Sequence, residues 1–268
     1  ALAGNADKVG QIFGDLKGKY AGATFTEQGA LLAVPRIGNA VTDAELYAKA
    51  LKPAEAAGIP VLNVNDAVIP SAEHYVGNVQ KDNGVRVAQW FIDNRPDGGK
   101  VAVIEGQPGV YAAGQRTAGF TETINASGKF EVVASVPANW SREEAFNAAT
   151  TILQQYPDLT GFYANNDGMA LGVVEAVKAA GKQETVAVFG TDGVSDAYAA
   201  IKAGDLTGTV DSFPVLTGEI AMEVALRLMA GQALPRVVAT PQALITKDNV
   251  DTYATTDIAA LRAALTAK

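Results

Sequence analysis

The stretch from Leu159 to Phe213 has the clearest pattern of hydrophobic and polar positions in the chain. Three apolar runs, GFYA, TVAVFG and LTGTV, alternate with two amphipathic segments whose apolar residues recur at helical spacing. This is a β-α-β-α-β pattern, and strands separated by helices of this length form parallel, right-handed, doubly wound sheets. The pattern therefore predicts an α/β fold built on a parallel sheet.

The segments on either side continue the alternation of strands and helices. The predicted strands are residues 29–35, 59–64, 74–78, 101–105 and 130–136, with 237–245 extended, and the predicted helices are residues 5–20, 43–57, 82–94, 112–127, 143–156, 217–231 and 257–267. No tandem repeat with a period of about 20 to 50 residues is present. Both halves of the chain are thus predicted to be α/β.

Polar side chains stand where each strand of the central stretch ends. They are Asn165-Asn166-Asp167, then Asp192, then Asp211-Ser212. Because ligands of open parallel sheets bind at the carboxyl ends of the strands, these clusters are expected to converge on one binding edge.

Composition narrows the possible functions. The chain has 268 residues, 48% of them hydrophobic, and a net charge of −8 without any run of basic residues. A nucleic-acid surface needs clustered Lys and Arg, so binding to nucleic acid is not expected. The chain has no cysteine and only one histidine, His74, so thiolate zinc sites and multi-histidine metal sites are excluded. No metal or cofactor is predicted.

Two segments, ANNDGMALGVVEAVKAAGK and VAVFGTDGVSDAYAAIKAGDLTGTVDSFP, carry a resemblance to a known family. They resemble the second lobe of the ribose-type periplasmic sugar-binding proteins, which share their core with the effector domains of lactose-repressor-type regulators. The resemblance extends from about Gly29 to about Tyr253, most of the chain, and rests on the combined motif.

The resemblance implies two doubly wound parallel-sheet lobes joined by a three-strand hinge. The first lobe would contain residues 1–79 and 212–239, and the second residues 80–211 and 240–268. Members of the family begin with a strand, a helix and a strand before the segment that GALLAVP matches, and here 28 residues precede it. A truncated first lobe is therefore expected, whether the chain was trimmed, residues are omitted from the sequence, or the lobe is unusual.

The function that the resemblance implies is that of a solute-binding receptor of an ABC importer. Such a receptor is not an enzyme, and its lobes close over a small neutral sugar or polyol in the cleft between them. It is expected to be a monomer located outside the cytoplasm, either periplasmic or anchored to the membrane. Its expected partners are the membrane permease subunits. The alternative is the effector-binding core of a transcriptional repressor, which would need a basic helix-turn-helix segment.

Three residues of the second lobe match ligand-binding positions of the family. Asp192 would accept sugar hydroxyls, although it could instead cap the helix that starts near Ser195. Asn166 would offer a donor and an acceptor to a diol, or else form a turn with Asp167 capping the next helix. Trp140 would stack on the apolar face of a sugar ring.

Five further positions are candidates for ligand contact. Asn65 and Asp66 stand where relatives carry an Asp-Arg pair, and Ser212 stands where relatives often carry Gln. A second family arginine aligns with Gly114, which leaves Arg116 as the neighbouring match, either for ligand or for a structural carboxylate pair. Tyr111 lies in the same loop.

The loop from Gly106 to Gly109 raises an alternative, a phosphate site, because it joins a strand to a helix. It lacks the GxGxxG pattern and the lysine of a P-loop, and is better explained as close backbone approach to a ligand. Two predicted site carboxylates, Asp66 and Asp192, face at most Arg116, so a neutral ligand is expected rather than a sugar phosphate or sugar acid.

Overall fold

The computed structural model describes residues 62–64, 74–255 and 257–266. In chain order its elements are β1 (Leu62–Val64), β2 (His74–Gly77), α1 (Gln80–Asn94), β3 (Gly99–Glu105), α2 (Tyr111–Ala126), β4 (Phe130–Pro137), α3 (Arg142–Gln155), β5 (Leu159–Ala164), α4 (Asp167–Ala179), β6 (Ala187–Asp192), α5 (Ser195–Ala203), β7 (Gly208–Asp211), α6 (Pro214–Met229), β8 (Val237–Ala239), β9 (Ala243–Thr246), α7 (Val250–Tyr253) and α8 (Ile258–Thr266). The predicted elements before residue 62 lie outside the described residues.

The described residues separate into two compact units, with divisions after Gly77, Pro214 and Thr240. The first unit contains a three-stranded parallel sheet in the order β1-β2-β8. Val76 on β2 and Ala221 and Val224 on α6 form its buried cluster. The lobe boundaries implied by the family resemblance stay a prediction.

The second unit contains a six-stranded sheet in the order β4-β3-β5-β6-β7-β9. Strands β3 to β7 pair in parallel and helices connect them, as the alternation of apolar runs predicts. The α/β fold class with parallel sheets is confirmed. Among the described helices, none combines the length and apolarity needed to cross a membrane.

The segment 237–245 is extended as predicted, with an interruption between β8 and β9. The segment forms two strands in different sheets, and β9 runs antiparallel to β7. Pro241 separates them because it has no N–H to continue a ladder, while the N–H of the preceding Thr240 still donates to the carbonyl of Gly77 (2.9 Å). Helix α7, which follows β9, was not predicted.

Local sequence explains where the helices begin and end. The Oγ of Ser141 accepts from the N–H of Glu144 and caps α3, and the buried residues of that helix recur at helical spacing. Helix α5 ends at Gly204, whose φ of 85° is the left-handed conformation that favours glycine.

The core of the second unit is organised around the ring of Phe91 on α1. Its centroid lies 5.5 to 6.0 Å from those of Trp90, Phe120, Phe130 and Phe189. Gly161 on β5 makes room for it, since a Cβ there would lie 2.3 Å from the Phe91 ring. This contact fixes α1 against the sheet.

Glycines also let α1 and α2 approach closely. A Cβ on Gly84 would lie 2.1 Å from the carbonyl oxygen of Arg116, and one on Gly119 would lie 2.0 Å from that of Lys81. The backbone of α2 around Arg116 is therefore held directly against α1.

Candidate functional site

The candidate site lies at the carboxyl ends of β5, β6 and β7. These strands are neighbours in the sheet and run parallel, with Asp192 at the end of β6 paired in register with Asp211 at the end of β7. Asn166, Asp192 and Ser212 therefore follow adjacent strand ends, as the topology predicts.

Asp192 faces the guanidinium of Arg116 across this edge. Oδ1 of Asp192 lies 3.3 Å from Nη1 of Arg116, and the exposed fraction of the side chain is 40% for Asp192 but 8% for Arg116. Among the described residues, no group donates a hydrogen bond to Oδ2 of Asp192. The carboxylate thus has one oxygen held by the protein and one available as an acceptor.

The proposed capping role of Asp192 is not what the structure shows. Helix α5 begins after Val194, and no side chain caps it. Asp192 instead has a φ of 125°, an unfavourable conformation for a residue with a Cβ. Burial raises the pKa of Asp192, and the neighbouring Arg116 opposes this shift.

Arg116 is held by α1 and by the strand end of β5. Its Nε donates to Oε1 of Gln80 at 2.9 Å, and its Nη1 donates to the backbone oxygen of Asn165 at 2.6 Å. These contacts agree with the structural alternative for Arg116, a carboxylate pair inside the protein. A direct contact between Arg116 and ligand stays a prediction.

Asn166 is the residue that caps α4, so the alternative in which Asp167 caps this helix does not hold. Oδ1 of Asn166 accepts from the N–H of Met169 at 2.9 Å, the geometry of an N-cap. One acceptor site of the amide is therefore used by the helix. Within the described part of the chain its Nδ2 makes no hydrogen bond, so it is available to donate to a ligand.

Trp140 packs against the loop that follows β3. A Cβ on Gly106 would lie 2.1 Å from Cη2 of the indole, so the ring rests on the glycine backbone. The N–H of Gly106 donates to Oδ1 of Asn165 at 3.1 Å. Trp140 is half-buried and has a left-handed φ of 64°. Because the N–H of Gly106 already donates to the side chain of Asn165, it is not available to bind a phosphate group, which argues against the phosphate-site alternative.

The remaining predicted positions differ in exposure. Tyr111 opens α2 and has an exposed fraction of 40%, whereas Ser212 is buried after β7. Asn65 and Asp66 lie outside the described residues. Within the described ranges, no group of acidic or histidine side chains is arranged to hold a metal ion.

Sequence reasoning placed Asp211 at the binding edge but did not identify Tyr198 as its partner. Oδ2 of Asp211 accepts from the Tyr198 hydroxyl at 2.8 Å, and Oδ1 accepts from the N–H of Phe213 at 2.6 Å. Phe213 has a left-handed φ of 47° and its ring lies 5.7 Å from that of Tyr253. The aspartate therefore fixes the turn that follows Ser212.

Burial of Asp211 predicts a dependence of stability on pH. Burial raises its pKa from 3.8 to about 6, against the lowering effect of the Phe213 and Tyr198 hydrogen bonds. The folded protein then binds this proton more tightly than the unfolded chain, so the free energy of unfolding falls as pH rises from 3.8 to about 6. Asp211→Asn should remove this part of the pH dependence while keeping both hydrogen-bond partners.

Thermal unfolding midpoints of the wild type and Asp211→Asn, measured at intervals from pH 4 to pH 7, test this expectation. The exposed Asp97→Asn change is the control for loss of one acidic charge. If the difference between wild type and Asp211→Asn is the same at every pH, or equals that of the control, the assignment of a raised pKa to Asp211 is wrong.

The sequence matches a known domain family over most of its length. Residues 36–233 match the family described as periplasmic binding protein domain. The ribose import binding protein of Bacillus subtilis is 33% identical over 207 residues, which cover 77% of this chain and 67% of that protein. The chain spans about two thirds of the length of the curated relatives that it matches.

Solved structures give the same assignment. A periplasmic solute-binding protein of an ABC transporter from Actinobacillus succinogenes, with bound D-allose, has a TM-score of 0.74 and 32% identity, covering 79% of this chain and 78% of that one. One from Bacillus halodurans with bound myo-inositol has a TM-score of 0.72 and 28% identity, covering 79% and 74%. On the sequence match and the shared fold, the chain belongs to the periplasmic binding protein family.

Proposed function

We propose that this chain is a solute-binding receptor of an ABC importer and that it binds a neutral monosaccharide or sugar alcohol. The observation that carries the proposal is the pairing of Arg116 with Asp192, which leaves one carboxylate oxygen of Asp192 available as an acceptor. Hydroxyl groups of a sugar or polyol are suitable donors to a charged acceptor, because such hydrogen bonds are the stronger ones.

The charge at the strand ends favours a neutral ligand. Asp167, Asp192 and Asp211 all lie there, and Arg116 pairs with Asp192 alone of the three. Burial and the charge of Asp192 raise the pKa of Asp167 to about 8 and that of Asp211 to about 6, which indicates that this edge already disfavours negative charge. A phosphate or carboxylate ligand would bring a further negative charge to this partly desolvated edge, where Asp192 already pairs with Arg116.

The relatives support the same ligand class. D-Allose is bound in one matched structure and myo-inositol in the other, and both are neutral polyhydroxylated molecules. Their descriptions as binding or import proteins favour a receptor over the repressor core and over an enzyme. We extend the proposal to a monomeric receptor outside the cytoplasm that delivers its ligand to membrane permease subunits, with hinge closure of two lobes.

A side-by-side ligand panel tests the proposal. Thermal unfolding is measured with D-ribose, D-allose, xylitol and myo-inositol, and with D-gluconate and D-ribose 5-phosphate as anionic counterparts. A neutral ligand present at a hundred times its dissociation constant should stabilise the protein by about 2.7 kcal/mol. That corresponds to a rise of several degrees in the unfolding midpoint.

The two anionic compounds are the controls for ligand charge at equal concentration and ionic strength, and D-ribose 5-phosphate is compared directly with D-ribose. The largest shift with D-gluconate or D-ribose 5-phosphate would contradict a neutral ligand. No shift with any sugar or polyol, at concentrations up to the millimolar range where weak sites fill, would contradict sugar binding itself.

A further inference from the structure

Asp167 is a fully buried aspartate at the first position of α4. It accepts three hydrogen bonds, and two of them come from the backbone of one loop. Its Oδ2 accepts from the N–H of Gly193 at 2.8 Å and from the N–H of Val194 at 2.9 Å. Its Oδ1 accepts from the hydroxyl of Thr209 on β7 at 2.6 Å. The carboxyl thus ties the loop after β6 to α4 and β7.

That loop carries Asp192. Asp192 has a φ of 125° and Gly193 a φ of 77°, so two consecutive residues adopt positive φ and the first has a Cβ. Such a conformation costs free energy and persists only where the surroundings enforce it. The two N–H groups that follow Asp192 donate to Asp167, and these hydrogen bonds can hold the backbone in this conformation.

The sequence around β6 is built to admit this contact. A Cβ on Gly190 would lie 2.2 Å from Oδ1 of Asp167, so only glycine leaves room for the carboxyl. On the other side of the loop, a Cβ on Gly193 would lie 2.1 Å from the carboxyl carbon of Asp211. Glycines on either side of Asp192 therefore let the loop pack between two buried aspartates.

We propose that Asp167 is a positioning residue, whose carboxyl holds the loop from Asp192 to Val194 so that the free oxygen of Asp192 points to the ligand. Arg116, on α2, donates a hydrogen bond to the other oxygen of Asp192 and so fixes it. The inference rests on the proposed function, since it assigns to Asp192 the ligand contact. It adds that a residue without ligand contact determines the affinity.

Two substitutions at Asp167 separate hydrogen bonding from charge. In Asp167→Asn, the amide oxygen can still accept from the N–H groups of Gly193 and Val194, and the NH₂ can donate to the Thr209 hydroxyl. In Asp167→Ala, all three bonds are lost. We expect Asp167→Asn to bind D-allose within about threefold of the wild type and Asp167→Ala to bind it about tenfold more weakly or worse.

A readout that needs no ligand accompanies the affinity. Amide hydrogen exchange of Gly193 should accelerate about tenfold in Asp167→Ala and stay near the wild-type rate in Asp167→Asn. Unchanged exchange in a folded Asp167→Ala variant, or equal loss of affinity in both variants, overturns the proposal. If wild-type protein binds no sugar or polyol, the proposed function fails, while the exchange rates still decide whether Asp167 holds the loop.

A second pair of variants changes the loop instead of the aspartate and decides the matter if Asp167→Ala does not fold. Val194 has a φ of −71°, which proline can adopt, and its side chain is 42% exposed. Val194→Pro removes one N–H donor to Asp167, and Val194→Ala removes the side chain while keeping that donor. We expect Val194→Pro alone to weaken D-allose binding, by about threefold or more, and to accelerate exchange at Gly193. Equal behaviour of the two variants overturns the proposal.

Discussion

An Asp192→Ala variant is expected to lose at least about a hundredfold in affinity for the sugar or polyol that the panel identifies. The reason is that hydrogen bonds to a charged acceptor contribute about 1.5 to 3 kcal/mol each, and a carboxylate oxygen can accept two. Isothermal titration calorimetry of the purified variant measures the change. Asp192→Asn keeps the shape but not the charge, so its affinity should lie between that of Asp192→Ala and that of the wild type.

Asp196→Ala is the matched control for this experiment. Asp196 lies four residues further on, in the first turn of α5, and its side chain is exposed. It should bind within about twofold of the wild type, since loss of one surface charge has a small effect at a screened distance. If Asp192→Ala also stays within that range, Asp192 does not contact the ligand and the proposed site is wrong.

Asp192→Ala should nevertheless fold. The side chain of Asp192 is 40% exposed, so its contribution to stability through the Arg116 pair is screened by solvent. The guanidinium keeps its bonds to Gln80 and to the backbone oxygen of Asn165 without the aspartate. A folded variant without affinity is therefore the outcome that identifies a binding residue.

The position of the site was predictable from the sequence because it follows from topology. Alternating strands and helices imply a parallel sheet, and polar residues after consecutive strands then meet at one edge. Asn166 and Asp192 were predicted at this edge on that basis. Which side chains contact each other at this edge was not predictable in the same way.

The contacts that the sequence did not predict join residues far apart in the chain. The pairing of Arg116 with Asp192 joins positions 76 residues apart, and no local pattern encodes which arginine meets which carboxylate. The choice of Asn166 over Asp167 as the cap depends on the loop at Gly193, which takes the carboxyl of Asp167. One signal was available, since glycines at 190 and 193 flank Asp192 and indicate close approach of another group.

Asn165 connects the two sides of the candidate site. Its Oδ1 accepts from the N–H of Gly106, on which the indole of Trp140 rests, and from the hydroxyl of Thr117. Its backbone oxygen accepts from Arg116, the partner of Asp192. The proposed aromatic surface and the proposed acceptor are thus joined through one buried residue, which favours a preformed second-lobe half of the site.

The largest effect on stability is expected for Arg116→Met. Arg116 is buried, and its removal takes away one donor each from Oε1 of Gln80, from the backbone oxygen of Asn165 and from the Asp192 carboxylate. Removing the donor of a buried acceptor costs about 1–3 kcal/mol, while the exposure of Asp192 lets solvent screen the loss of its ion pair. Because the acceptors of both Gln80 and Asn165 are affected, the expected loss is about 2–3 kcal/mol.

The matched control is Arg142→Met, which breaks an exposed arginine–carboxylate pair in the same unit. Arg142 pairs with Glu175, and both side chains are 51% exposed, so the expected loss is about 0–1 kcal/mol. Urea unfolding followed by tryptophan fluorescence measures both variants, since Trp90 and Trp140 both belong to this unit. Equal losses in the free energy of unfolding for the two variants would show that burial does not strengthen the contacts of Arg116. The network from Gln80 to Asp192 would then not stabilise the site.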